Sequence, residues 1–232
     1  MSGILKISNL WGGYQENVNI LQGISFEVSQ GDIIGIIGLN GSGKSTLGKA
    51  ILNMLPYRKG EFIFDGDDIS HMPTNKLFHR GISIMQQGGR VFHNLSVWEN
   101  LQLAGHISNS KLAEIIPLLQ RPQKELQQMS ADKLSGGQKH QLSLAMALAS
   151  SPRLIILDEP SAGLSPKSTE EMYQILISAK ENMNMTIILI EQNIAKAIDY
   201  CNWSILLQQG KVCSRIEGND VHIIESLMFN KM

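Results

Sequence analysis

The sequence is short of several things, and each shortage excludes a class of protein. Its two cysteines, Cys201 and Cys213, are too few for a disulfide framework and lack metal-site spacing, so they read as reduced, cytoplasmic packing residues. No charge of one sign dominates: 20 Lys and Arg against 21 Asp and Glu leave a formal net charge of -1. That removes the electrostatic case for binding nucleic acid. No apolar run approaches the ~20 residues of a membrane span. The first residues lack the basic-then-apolar order of a secretion signal. There is no internal repeat and no low-complexity tract. His71, His79, His93, His106, His140 and His222 are scattered and read as solvated or locally bonded. What is left is ordinary: 232 residues, 43% hydrophobic and 18% charged, enough for one sizeable α/β domain with room for a small insertion.

Against that plain background one stretch organises the chain. Gly38-Leu39-Asn40-Gly41-Ser42-Gly43-Lys44-Ser45-Thr46 fits the phosphate-binding loop pattern G-x-x-x-x-G-K-[ST]. Glycines let the backbone curl so that successive N–H groups point at phosphate oxygens. Lys44 is a mobile point charge able to reach the β and γ phosphates, and the Ser45 hydroxyl can ligate Mg²⁺. Residues 33–37 are a short apolar strand ahead of the loop. Leu47, Ala50, Ile51, Met54 and Leu55 recur behind it at helical spacing. Phosphates would therefore sit at a helix N-terminus.

The rest of the chain reads in the same alternating way. Ile24, Phe26 and Val28 alternate with polar residues as a half-buried strand, with residues 4–7 as its neighbour. Leu10-Trp11-Gly12-Gly13-Tyr14 reads as a Gly-rich loop whose aromatic can stack on a flat base; Tyr14 and Trp11 are rivals, and covering the sheet edge is the alternative use. Residues 61–64 with Asp65-Gly66 read as strand and turn, and residues 82–85 as a strand ending at Gln86-Gln87-Gly88-Gly89. From about residue 88 to 150 the composition turns helical, which predicts an inserted helical lobe. A capping box starts at Ser96 and Glu99, and residues 111–119 form a further helix broken at Pro117. Ser135-Gly136-Gly137-Gln138, after Leu134, starts another helix. Its glycines and free N–H groups suit an anion or a plain N-cap. Residues 154–157 are a continuous apolar run ending in Asp158 and Glu159, a buried parallel strand with two acids at the ligand end. There Asp158 can hold Mg²⁺ through water and Glu159 can polarise an attacking water. Ser165-Pro166 opens a helix whose buried stripe is Met172, Ile175, Leu176, Ala179 and Met183. Residues 186–190 form a core strand ending at Glu191-Gln192-Asn193. Residues 204–214 close as a hairpin, and residues 221–232 are weakly helical.

Taken together, these motifs resemble the ATP-binding subunit of ABC transporters over essentially the whole chain. The phosphate loop is shared by many classes; Leu134 to Gln138 placed ahead of the strand ending Asp158-Glu159-Pro160 is far more specific. The resemblance implies a P-loop NTPase core, a mostly parallel sheet flanked by helices, with an N-terminal antiparallel β subdomain and an inserted helical subdomain. It implies ATP and Mg²⁺ as ligands, and ATP hydrolysis coupled to transport. In that family the tyrosine at the Tyr14 position stacks on adenine. Gln87, rather than Gln86, matches the glutamine that contacts Mg²⁺ and the attacking water. The family works as a head-to-tail dimer in which Ser135, Gly136, Gly137 and Gln138 of one subunit cap the γ-phosphate held by the other. Its partners are transmembrane permease subunits, and its place is the cytoplasmic face of the membrane, peripherally attached.

Two departures narrow the resemblance. Most members have His where Gln192 stands and Asp where Ser165 stands. Glu191-Gln192-Asn193 looks like one of the two ATPases of branched-chain amino acid importers, with urea and amide importers close by. Such importers pair two different ATPases, so both homodimer and heterodimer are open. Gln192 can donate a hydrogen bond to a γ-phosphate but cannot become cationic. This implies lower turnover in a homodimer. Rival readings are a lipid or polysaccharide exporter, a non-transport ATPase of DNA repair or translation, and an accessory subunit with a weak site. Arg90, Val91, Phe92 and Trp98 are candidates for the membrane-subunit contact, with core packing as the alternative for Trp98.

Overall fold

A computed structural model describes residues 3–105, 119 and 123–217. The chain divides into two compact units, one from residues 1–80 with 186–232, the other Gly81–Met185.

The first unit holds an antiparallel sheet and a parallel one. In the antiparallel sheet, β1 (Gly3–Gly13) lies between β2 (Leu21–Ser29) and β4 (Tyr57–Phe64), with the short β5 (Asp67–Asp68) outside β4. The alternation at Ile24 and Val28 does point both residues inward. One expectation fails here: Trp11, Gly12 and Gly13 belong to the strand and not to a loop. The chain after Tyr14 folds back on that strand end, with the Ile20 N–H donating to the Gly12 carbonyl at 2.8 Å. The glycines there make room for the returning chain.

In the parallel sheet of this unit, β3 (Ile33–Ile37) pairs in parallel with β8 (Thr186–Glu191) and β9 (Trp203–Gln208), and β10 (Lys211–Glu217) returns antiparallel to β9. All five residues of β3 and all six of β8 are buried, as expected for parallel strands covered on both faces. Helix α1 (Lys44–Ile51) follows β3 and is shorter than its apolar spacing suggests. Asn53 turns left-handed at φ 54, the Asn53 N–H donates to Ala50 O, and the Met54 N–H donates to Lys49 O. That double closure is a Schellman stop with Asn in the glycine role, and it leaves Met54 40% exposed beyond the helix. The C-terminal carbonyl of Ala50 also accepts from Arg58 Nη1 at 2.5 Å, and Arg58 reaches Ser70 O as well. The short α2 (Thr74–His79) follows β5, and α7 (Ile194–Tyr200) connects β8 to β9.

The second unit pairs β6 (Ile82–Met85) in parallel with β7 (Leu154–Asp158). Between them in sequence lie α3 (Val97–Ala104), α4 (Gln123–Gln128) and α5 (Gly136–Leu148), and α6 (Pro166–Met183) follows β7. The capping box at Ser96 forms, with the Glu99 N–H donating to Ser96 Oγ and Glu99 Oε2 accepting from the Ser96 N–H. Bonds donated by the Ser96 N–H and by the Ser96 hydroxyl hold the Glu99 carboxyl below the usual carboxylate range. The helices enclose their own small core of Val97, Leu101, Leu126, Leu134, Leu142 and Ala145. Ser165 caps α6 with Pro166 at its first position. Met172, Leu176 and Ala179 are buried as the spacing predicts; Ile175 and Met183 are half-buried, and Tyr173 is buried unannounced. The expected helix over residues 111–119 falls outside the described residues except for buried Leu119, and the 221–232 tail lies outside them entirely.

Candidate active site

In the first unit the site begins where β3 runs out. Ile37 pairs with Glu191 on β8 and with Leu206 on β9, so the phosphate loop and Gln192 leave adjoining strand ends. Gly38 approaches the sheet so closely that a Cβ there would stand 2.3 Å from Leu207 O. Gly43, at φ 104, turns the chain into α1, and no side chain of the described residues caps that helix. Lys44 is 4% exposed; its Nζ donates to Gly38 O at 2.9 Å and Leu39 O at 3.1 Å. The ammonium is therefore held over the loop by its own carbonyls. A second tie comes from the closing hairpin. The Gly210 N–H donates to Ser42 O at 2.9 Å, and Gly210 O accepts from the Gln22 N–H at 2.8 Å. Gly210 sits at φ 78, and a Cβ would meet Ile20 O at 1.7 Å, so only glycine fits this clasp. Composition cues for the phosphate loop pointed to none of these supports.

The two aromatic rivals separate in the structure. The Trp11 Nε1–H donates to Asn9 Oδ1 at 2.9 Å, and its ring lies against Gly23 of β2. Tyr14 is 44% exposed just beyond β1, and its hydroxyl accepts from Lys49 Nζ of α1 at 3.2 Å. Gln192 is exposed, whereas Glu191 beside it is 2% exposed. Cys201 is buried, and burial pushes its thiol up to about 12. Cys213 departs from the packing expectation: it is exposed, its thiol donating to Gln208 Oε1 at 3.3 Å.

In the second unit the parallel register Met85 to Leu157 brings the chain after β6 beside the chain after β7. Gln87 Nε2 donates to Glu159 Oε2 at 2.5 Å, which distinguishes Gln87 from its neighbour Gln86. Asp158 is 7% exposed at the end of β7, while Glu159 turns left-handed at φ 49. A left-handed non-glycine residue stores strain of order 1–3 kcal/mol, the kind of backbone found where a side chain is aimed for use. Ser135 caps α5 by accepting from the Gln138 N–H at 3.3 Å, and Gln138 Oε1 accepts from the Ser135 N–H at 2.9 Å. Ser135 and Gly136 are exposed, and no atom of the described residues stands within 4 Å of the place a Gly136 Cβ would take. Asn100 went unnoticed in the sequence. It is fully buried and pins the preceding loop, its Oδ1 accepting from the Phe92 N–H and its Nδ2 donating to Phe92 O and Ser96 O. Phe92 is left 55% exposed on that pinned loop, and Arg90 is exposed beside it.

The donor set suits a nucleotide with a hard cation. In the first unit, the start of α1, with no side-chain cap among the described residues, offers its dipole to phosphate, and Ser45 carries a hydroxyl of the kind that ligates Mg²⁺; in the second unit, Gln87 and Asp158 carry an amide and a carboxylate of that kind. Among the described residues no group of three or more His, Cys, Asp and Glu side chains could hold a metal ion. In the first unit, a buried lysine on a glycine loop between a parallel strand and a helix has the form of the phosphate loop of nucleotide hydrolases.

Comparison with known proteins narrows that class. The chain belongs to the ABC transporter family, whose model matches residues 21–162. It is 31% identical over 99% of its length, and 98% of the relative's, to a probable branched-chain amino acid transport ATP-binding protein of Archaeoglobus fulgidus. It is 30% identical over 92% of its length, and 91% of the relative's, to the high-affinity branched-chain amino acid transport ATP-binding protein of Pseudomonas aeruginosa. It is also 30% identical over 95% of its length, and 92% of the relative's, to a lipopolysaccharide export system ATP-binding protein of Escherichia coli K12. Among solved structures, a nucleotide-free ATP-binding cassette from an ABC transporter matches 97% of this chain and 95% of its own, with TM-score 0.83 and 27% identity. The protein is thus an ATP-using ATPase subunit of an ABC transporter, one that works with transmembrane permease subunits. No helix among the described residues is long and apolar enough to cross a membrane.

Proposed function

We propose that this subunit powers the import of a small polar solute, branched-chain amino acids first, from the cytoplasmic face of the membrane. The observation that carries the cargo class is the full-length likeness to two branched-chain ATPases, joined to the Glu191-Gln192-Asn193 sequence at the end of β8. In this reading Lys44 and the backbone of Gly38, Asn40, Gly41, Ser42, Gly43, Ser45 and Thr46 bind the phosphates, and Tyr14 takes the adenine face. Ser45, Gln87 and, through water, Asp158 hold Mg²⁺. The ion, when bound, neutralises charge on the phosphate oxygens. Glu159 orients the attacking water and draws its proton, while Gln87, bonded to Glu159, holds that carboxylate in place. Gln192 donates to the γ-phosphate. Ser135 to Gln138 serve the nucleotide of the other subunit, identical or related. The helical lobe at about 88–150 carries that turn, and Arg90 and Phe92 meet the permease. The subunit's contribution is positioning and electrostatics, as in phosphoryl transfer generally.

A second reading, export of a lipid or polysaccharide, is favoured by the likeness to the lipopolysaccharide system. The two separate in one experiment. The subunit is co-purified with its permease, placed in vesicles and given ATP. Leucine-dependent stimulation of hydrolysis with leucine uptake supports import. Hydrolysis indifferent to amino acids but raised by a lipid cargo overturns it.

A further inference from the structure

One buried side chain in the second unit is not used by the mechanism above. His140, on α5, is 7% exposed. Its Nδ1 lies 3.1 Å from Gly136 O, and because a carbonyl can only accept, the proton sits on Nδ1. Nε2 is buried with no hydrogen-bond partner among the described residues. His140 lies close against the loop after β6: a Cβ on Gly89 would stand 3.0 Å from both His140 Cα and Cγ and 3.1 Å from Cδ2, so backbone and ring both bound the loop there. Gly88 and Gly89 both take left-handed φ, 85 and 58, so the loop crosses the ring where only glycine passes easily. A few residues earlier, Ser83 Oγ donates to Ala147 O of the same helix at 2.8 Å. The strand and loop that deliver Gln87 are thus fastened to α5 at both ends.

We propose that His140 is a positioning residue, a strut that links the Gln87 loop to the Ser135-Gly136-Gly137-Gln138 turn. One side of the imidazole holds the Gly136 carbonyl and so sets how the turn presents its N–H groups; the other side sets the height of Gly89 and, through Gly88, the reach of Gln87 to Glu159. Displacement at either loop is felt at the other because a packed ring does not compress. An aliphatic side chain of similar bulk would fill the space but could not hold Gly136.

This inference rests on the reading of Gln87, Glu159 and Ser135 to Gln138 as parts of the hydrolysis site. The test uses the subunit assembled with its permease. His140→Leu should lower kcat about tenfold, by analogy with small misplacements elsewhere, while nucleotide affinity stays within about twofold. His140→Gln, whose amide can still donate to Gly136 O, should restore most of the loss. Gly89→Ala, which presses on the ring from the loop side, should give the same kcat-selective defect and serves if the leucine variant does not fold. Unchanged kcat in both variants overturns the strut. So does a loss of kcat matched by loss of affinity, or a glutamine variant as poor as the leucine one. Glu159→Gln, run alongside, separates the two levels: if it abolishes turnover while His140→Leu and Gly89→Ala keep the kcat of the unsubstituted protein, the site stands and the strut falls. If Glu159→Gln turns over normally, the site assignment falls and takes the strut with it.

Discussion

The protein contains two glycine-rich helix starts, and they are built in opposite ways. At α1 the chain enters through left-handed Gly43, no side chain of the described residues caps the helix, and buried Lys44 folds over the loop. At α5 the entry residue Ser135 is extended, and Ser135 and Gln138 cap each other in a closed box. The first start leaves its dipole and amides for an anion and brings a charge to hold it. The second satisfies itself while it waits and keeps an open face at Gly136. The contrast teaches that identical raw materials, glycine and a hydroxyl residue before a helix, make a binding cradle in one unit and a pre-formed clasp in the other. Joined to the proposed function, it places affinity chiefly in the first unit and turnover chiefly in the second.

The largest test of that division is Glu159→Gln, which should keep nucleotide binding and lose about 10²–10⁴-fold in hydrolysis, read as steady-state phosphate release. Lys44→Ala should do the reverse first, weakening nucleotide binding about tenfold to a hundredfold because a charge-assisted donor is gone. Equal affinity with and without Lys44 would erase the contrast. Removing Arg58 probes what supports the cradle from behind. Its guanidinium holds Ala50 O and Ser70 O and is lowered to about 10 by burial, so it remains cationic at neutral pH. Arg58→Met should cost about 1–3 kcal/mol in denaturant unfolding. Ser135→Ala should cost about 1 kcal/mol of stability and slow turnover, with single-subunit nucleotide affinity unchanged, since the clasp is not the cradle. Gln192 sits in the first unit yet is assigned to turnover, so Gln192→His should raise homodimer hydrolysis modestly; unchanged or lower turnover would remove it from that role. The smallest effect is on thiol labelling. Burial raises the Cys201 thiol, so its reactive thiolate is absent at neutral and mildly alkaline pH, and only exposed Cys213 should react until the protein unfolds.

Much of this was readable before any fold was known, because the signals are local. Strands over residues 33–37 and 82–85 appear with the expected bounds, and the caps at Ser96, Ser135 and Ser165 form as their spacing predicts. Where reading failed, a distant segment intervened. The stretch from Trp11 to Gly13 looks like a loop by composition, but pairing with β2 and β4 keeps it in a strand. His140, one of six scattered histidines in sequence, turns out to lie beneath Gly89.

The order of residues by itself determined the phosphate loop, the alternation of apolar strands with helices, the helix starts and the family, since each depends on neighbours within a few positions along the chain. Only the tertiary structure decided that Gly210 clasps Ser42, that the Gln87 side chain reaches Glu159, that Lys49 bonds to Tyr14, and that His140 bears on Gly89. Those are contacts between segments far apart in sequence. Their residue types are common, and nothing local distinguishes them until folding sets one against another.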